Sequence, residues 1–154
     1  EADESISAGG SDAQRSLRQA ITTVWEALTI ANHKPVRLRL DIPEGTAVAA
    51  DPSLFDLVLR NLLDNALRYS ETGEIVCALE GSQLSVIDSG PGFAAADLAH
   101  VFDRFYTGPH GRHGLGLALV QHVCTASGWL VSAGNTATGG AQVSVDFGTS
   151  VRRF

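Results

Sequence analysis

The sequence predicts a two-layer α/β sandwich: a mixed, mostly antiparallel sheet covered on one face by helices. Three observations carry this. Signals along the chain run helix, strands, helix, hairpin, loop, helix, hairpin. The strand signals fall in neighbouring pairs joined by short turns, which suits antiparallel pairing. The long helical segments can all cover one sheet face, while polar residues alternating along Val36 to Ile42 and Gln142 to Asp146 leave the other face to water.

Glu1 to Asp12 is acidic, rich in Ser and Gly and poor in large apolar residues, so it reads as a flexible tail or linker. A single domain is expected over residues 13–148, with a loose C-terminal tail over 149–154. From Ala13 to about Ala31, Leu17, Ala20, Ile21, Val24, Leu28 and Ala31 recur at three- and four-residue intervals, predicting an amphipathic helix. Pro35 and the alternation in VRLRLDI predict a strand with Val36, Leu38, Leu40 and Ile42 on one face. Pro43, Glu44 and Gly45 turn the chain into a short second strand, Thr46 to Ala50.

Asp51-Pro52 reads as N-cap and first helical residue, a carboxylate for the free amides followed by the imino acid that lacks one. That helix runs to about Tyr69, and Ser70 to Gly73 ends it. Glu74 to Glu80 and Gln83 to Ile87 form a hairpin across Gly81-Ser82. The loop DSGPGF, Asp88 to Phe93, leads to a short helix near Ala94 to His100 and an irregular stretch from Val101 to His113. Gly114 opens a third long helix through about Ala126, apolar nearly all round and so expected to be well buried. Trp129 to Ala133 and Ala141 to Phe147, joined across Gly139-Gly140, close the fold, and Val151 to Phe154 reads as a loose end.

The 154 residues, 44% apolar and 18% charged, suit one globular domain with a sizeable core. A net charge of −6 argues against sequence-independent nucleic-acid binding, which needs basic surface. No apolar run reaches the length of a membrane span, and no signal-peptide pattern opens the chain. Methionine is absent and residue 1 is Glu, so a piece of a longer protein is expected. Cys77 and Cys124 each lie among apolar neighbours and read as two buried thiols in a reducing compartment rather than a disulfide.

On the Asp51 helix, at 100° per residue, Phe55, Val58, Leu59, Leu62, Leu63 and Ala66 share one broad face. Asn61, Asn65 and Arg68 cluster beside it, with Asp56, Arg60 and Asp64 further round towards solvent. Periodicity alone favours an ordinary solvated margin. Chemistry argues otherwise: amide oxygens about one turn apart can coordinate a hard cation that also takes phosphate oxygens, and Arg68 can add charge-assisted bonds.

In DSGPGF, Gly90 and Gly92 let the backbone approach a flat ligand, and Asp88 is an acceptor-only carboxylate suited to an exocyclic amine. The same residues also suit a plain strand-to-helix turn. Gly90 to Ala95 fits the dinucleotide fingerprint G-x-G-x-x-A. The second parallel strand that fingerprint requires is replaced by a Pro/Gly loop and a helix, which argues against it. In Gly111 to Gly116, free amides at a helix start form an anion site without the P-loop G-K-[ST] ending; Gly114 and Gly116 equally suit close helix packing.

Taken together and in order, these motifs resemble the ATP-binding catalytic domain of sensor histidine kinases. That domain lies within the superfamily shared with gyrase, the heat-shock chaperone ATPases and the mismatch-repair ATPases. The resemblance covers roughly Thr22 to Phe147. NLLDNALRYS (Asn61 to Ser70) looks like the asparagine box and DSGPGF the first glycine box. VFDRFY (Val101 to Tyr106) looks like the phenylalanine box, HGLGLALV (His113 to Val120) the second glycine box, and TGGAQVSV the final glycine turn. It implies a Bergerat-type fold, three helices on a five-stranded mixed sheet, with a movable lid over ATP and Mg²⁺.

Carried over, the resemblance makes Asn65 the principal Mg²⁺ ligand with Asn61 nearby. Arg68 would contact phosphate, Tyr69 would flank the nucleotide, and Asp88 would hold the adenine amine. Gly90, Gly92 and Phe93 would shape the adenine pocket, and Phe102, Phe105 and Tyr106 would anchor the lid's start. Arg112, His113, Gly114, Leu115 and Gly116 would bring the second glycine box to the phosphates. Hydrolysing relatives resemble E-x-x-x-N, and Asn61 stands at that glutamate's place. An amide cannot serve as a general base, which favours phosphoryl transfer to a protein histidine over hydrolysis.

No H-E-x-x-T/P-like histidine box appears among His33, His100, His110, His113 and His122. The resemblance therefore implies a partner domain upstream that carries the phospho-acceptor histidine and the dimerising helices. Beyond it lie a response regulator, a homodimeric full-length protein and a monomeric isolated domain, with a cytoplasmic location on an inner-membrane-anchored bacterial sensor. Thr107 stands where many relatives carry arginine, and Trp129 replaces a common glycine. The lid, Tyr106 to His113, is short, which motivates one alternative, a nucleotide-sensing or docking module without kinase activity; a hydrolysing ATPase is a further alternative, against which Asn61 argues.

Overall fold

The structure is a computed structural model that describes residues 13–30, 32–104 and 116–154. In chain order its elements are β1 (Ala13–Ser16), α1 (Leu17–Thr29), β2 (Val36–Asp41), β3 (Thr46–Ala50), α2 (Pro52–Tyr69), β4 (Gly73–Glu80) and β5 (Gln83–Ile87). There follow α3 (Ala95–Leu98), α4 (Gly116–Ser127), β6 (Leu130–Asn135), β7 (Ala141–Asp146) and, after a 3-10 turn, β8 (Val151–Arg153).

The main sheet has five strands in the order β2-β4-β5-β7-β6. Only β2 and β4 run parallel; the other three pairings are antiparallel. The register aligns Leu40, Cys77, Val86, Val143 and Ala133 in one row across the sheet. Cys77, Leu84, Val86, Val143 and Val145 from this face join the buried core with the apolar stripes of α1, α2 and α4. The opposite face carries the polar members of the alternation: Arg39 pairs with Glu74 at 3.4 Å, and the Ser85 and Ser144 hydroxyls lie 2.8 Å apart. This is the two-layer sandwich the periodicities predict.

Four expectations need correction. Residues 13–16 are a strand, not the first turn of α1. The apolar periodicity begins only at Leu17, and the Ser16 hydroxyl caps the helix by accepting from Gln19 N at 3.2 Å. Thr46–Ala50 does not extend the main sheet. It is the centre of a second sheet, β1-β3-β8, paired antiparallel on both sides. Val151 to Arg153 is not loose: it forms that sheet's other edge, and Phe154 N donates to Gly45 O at 2.7 Å. The fourth concerns α4, which buries only Leu117, Val120, Val123 and Cys124, leaving Leu119 41% exposed, because it packs on α2 and β6 from one side.

Trp129 and Phe55 meet edge-on against Phe147, with ring centroids 4.9 and 5.9 Å away. All three are buried, and truncating Phe55 to alanine would cost about 3–5 kcal/mol. The aromatic at position 129 is thus a core residue packed on Phe147, to which Phe55 ties α2. Both cysteines are free and fully buried, as their apolar neighbours predict.

Candidate functional site

Helix α2 is the wall of the site. Asp51 caps it, its Oδ1 accepting from Ser53 N at 2.8 Å and Leu54 N at 3.3 Å, with Pro52 in the first turn. Phe55, Val58, Leu59, Leu62, Leu63, Ala66 and Leu67 are buried, which fixes the helix rotation and leaves Asn61, Asn65 and Arg68 half-buried at the margin. Asn61 Nδ2 donates to Leu57 O at 2.8 Å, and its Oδ1 lies 3.4 Å from where a Cβ on Gly116 would sit. The first residue of α4 is therefore set against the asparagine pair. Asn65 makes no side-chain hydrogen bond to any described residue. Arg68 Nη2 pairs with Asp64 Oδ2 at 2.8 Å, holding the guanidinium along the helix one turn from Asn65.

The end of α2 is fastened on two sides. Lys34 Nζ donates to Leu67 O at 2.8 Å, Ser70 O at 3.2 Å and Arg68 O at 3.4 Å, satisfying carbonyls that the helix terminus leaves unpaired. Fully buried Ser70 accepts from Ser89 N at 3.1 Å, and Ser89 Oγ donates to Thr72 O. These bonds bring DSGPGF against the helix end. A Cβ at Gly90 would overlap the Tyr69 carbonyl, which is why this position of the loop is glycine.

Asp88 forms the floor. It is 6% exposed, and its Oδ1 accepts from Gly90 N and Ala141 N, both at 3.0 Å. Its Oδ2 receives no hydrogen bond from any described residue. Burial pushes the carboxyl pKa up, against the opposing pull of the two backbone donors. A buried carboxylate with one oxygen anchored and the other without a donor among the described residues has the chemistry of a ligand acceptor. Gly92, at φ 82°, and Gly140 close the surroundings: a Cβ at Gly92 would overlap the Gly139 carbonyl, and one at Gly140 the Asp88 carbonyl. Phe93 and Phe102 are half-buried and pack on the core.

Of the site residues expected from sequence, the structure joins Asn61 to Gly116, Tyr69 to Gly90, and Asp88 to Gly90. Phe105, Tyr106, Arg112, His113, Gly114 and Leu115 lie outside the described residues. Lys34, Ser70, Asn135 and Gly140 were not singled out from sequence. Gly140 had a signal as half of the Gly139-Gly140 turn, and Ser70 as the last residue of NLLDNALRYS; Lys34 and Asn135 had none.

The family described as histidine kinase-, DNA gyrase B- and HSP90-like ATPases matches residues 50–150. The chain is similar to the sensor protein QseC of Salmonella typhimurium, 38% identical over 136 residues, covering 85% of this chain and 30% of that protein. Among solved structures, the mycobacterial sensor histidine kinase MprB aligns with a TM-score of 0.75 at 22% identity, over 92% of this chain and 97% of that one; the likeness is one of fold. Full-length ShkA in complex with AMPPNP aligns at 0.73 and 27% identity, over 88% of this chain and 30% of that one. The chain thus spans about a third of the length of QseC.

Proposed function

The chain belongs to the histidine kinase-, DNA gyrase B- and HSP90-like ATPase family, and we propose that it is the ATP-binding catalytic domain of a two-component sensor histidine kinase. The observation that supports the reading is Asp88, buried, with Oδ1 held by two backbone amides and Oδ2 without a donor among the described residues, so that it can accept from the adenine amine. AMPPNP in the complex of the similar ShkA supports a nucleotide as the ligand.

The residues present fit Mg²⁺-ATP. Asn65 carries an amide with no hydrogen-bond partner among the described residues, in a half-buried position, and a hard cation takes such an oxygen together with phosphate oxygens. ATP supplies the transferable phosphoryl group, and the chain's own residues bind and orient. Asp88, Gly90, Gly92 and Phe93 hold the base, while Tyr69 flanks it and Phe102, Phe105 and Tyr106 anchor the lid. Arg68, with Asp64 steadying it, and the second glycine box from Arg112 to Gly116 neutralise phosphate charge.

Asn61 is engaged as a donor to Leu57 O, so its oxygen is directed towards the start of α4. It offers no carboxylate to activate water, which supports transfer over hydrolysis. The acceptor would be a histidine on the protein's own dimerising domain, with a response regulator next in line, in a sensor anchored to a bacterial inner membrane. Among the described residues no helix is long and apolar enough to cross a membrane.

Isothermal calorimetry with Mg²⁺-ATP tests the pocket. Wild-type chain is expected to bind and Asp88→Ala to lose binding. Unchanged affinity in the variant would overturn the assignment of the pocket.

A further inference from the structure

Asn135, the last residue of β6, lies alongside Phe93 and bonds to it twice. Phe93 N donates to Asn135 Oδ1 at 2.8 Å, and Asn135 Nδ2 donates to the Phe93 carbonyl at 2.8 Å. A side-chain amide here copies the two-bond exchange that one strand residue makes with its partner in an antiparallel ladder. The donor and acceptor are matched at both ends, so one amide orientation satisfies both bonds.

Among the described residues, and apart from the bonds Ala94 O accepts from Asp97 N and Leu98 N at the start of α3, these are the only hydrogen bonds joining residues 91–94 to another part of the chain. The other end of the loop is held by Asp88, whose Oδ1 takes Ala141 N and whose own N donates to Ala141 O at 2.9 Å. Ala141 is the cross-strand partner of Asn135 in the β6–β7 ladder. A single ladder pair therefore grips both ends of DSGPGF, one strand residue through its backbone and the other through its side chain. Between them Gly92 passes 2.9 Å from Asn135 Oδ1, measured from an added Cβ, leaving no room for the loop to settle closer with a side chain there.

We propose that Asn135 is a positioning residue for base recognition: its amide fixes the spacing between the Asp88 carboxylate and the Gly92–Phe93 backbone across which the purine lies. The assignment rests on the reading of this slot as the adenine pocket. It assigns Asn135 no contact with the nucleotide; its effect passes through Phe93.

The test is calorimetric titration of the full chain with Mg²⁺-ADP at neutral pH, well below the thermal midpoint of every variant. Asn135→Ala is expected to raise the Kd roughly tenfold relative to wild type, from the loss of both bonds. Asn135→Asp keeps the acceptor for Phe93 N but turns a carboxylate towards the Phe93 carbonyl. Its Kd is expected to rise at least as far as that of Asn135→Ala, since an ionised carboxylate accepts but cannot donate to a carbonyl. A residue that only stabilises the fold would lower the midpoint and leave the Kd of the folded chain unchanged. Wild-type binding with an unaffected Asn135→Ala, or an Asn135→Asp that binds as wild type does, overturns the role of Asn135 alone. Failure of wild type to bind Mg²⁺-ADP overturns the adenine reading, and this inference with it.

Discussion

Replacing Lys34 by methionine removes the ammonium that closes the C-terminus of α2 while keeping an apolar stem of similar reach. Its Nζ reaches three carbonyls, those of Leu67 and Ser70 at 2.8 and 3.2 Å and that of Arg68 at a weaker 3.4 Å. Glu71, at 3.6 Å and 83% exposed, adds little. Hydrogen bonds from a charged donor contribute roughly 1.5–3 kcal/mol when buried. Here the lysine side chain is 28% exposed and water can reach the freed carbonyls in part. A loss of about 2 kcal/mol in unfolding free energy follows, or a fall in Tm of about 4–8 °C for a domain of this size. Lys34→Arg should recover part of it, since a planar fork cannot serve three convergent carbonyls as an ammonium does. Urea unfolding followed by far-UV circular dichroism measures both. A Lys34→Met variant within about 0.5 kcal/mol of wild type, a margin typical of neutral surface changes, would refute the cap.

Further outcomes follow from the same contacts. Asp88→Asn keeps an oxygen for Gly90 N and Ala141 N but loses the ionised acceptor, so nucleotide binding should fall while the free protein gains stability at neutral pH. The sign comes from burial raising the Asp88 pKa in the folded state. The folded chain then binds the proton more tightly than the unfolded one, and stability attributable to this group rises as pH falls through its folded pKa. The stability gap between variant and wild type, measured by urea unfolding, should therefore shrink over that window. Gly140→Ala, whose Cβ would overlap the Asp88 carbonyl, should destabilise by about 1–3 kcal/mol and weaken ADP binding, read by denaturation and calorimetry. Cys77 and Cys124, whose thiols burial pushes up to about 12 and about 11, should resist a thiol reagent at pH 8 until the chain unfolds.

What the sequence disclosed, and what it hid, follows the range of the forces involved. The placement of Asn61, Asn65 and Arg68 beside the apolar stripe of α2 was legible because helical periodicity is local. So was the Asp51-Pro52 start, which depends on neighbours two and three residues on. Asp88 was legible as a carboxylate at a strand end, and family resemblance gave it a ligand. Its anchoring by Ala141, 53 residues away, was not. Lys34 and Asn135 were hidden for the same reason, since their partners lie 33 to 36 and 42 residues distant. Strands β1 and β8, of four and three residues, are too short to show alternation, and pairing with β3 is what makes them strands. The burial of α4 was overstated because composition shows how apolar a helix is, not how many of its sides are covered.

The most direct test of the central claim is phosphoryl transfer. The chain is incubated with Mg²⁺ and γ-labelled ATP together with the histidine-bearing dimerising domain of its own full-length protein, and acid-labile label on that domain is followed. The account predicts labelling with wild type and its loss with Asn65→Ala, without steady release of inorganic phosphate by the chain alone. Steady phosphate release with an unlabelled histidine domain would contradict it.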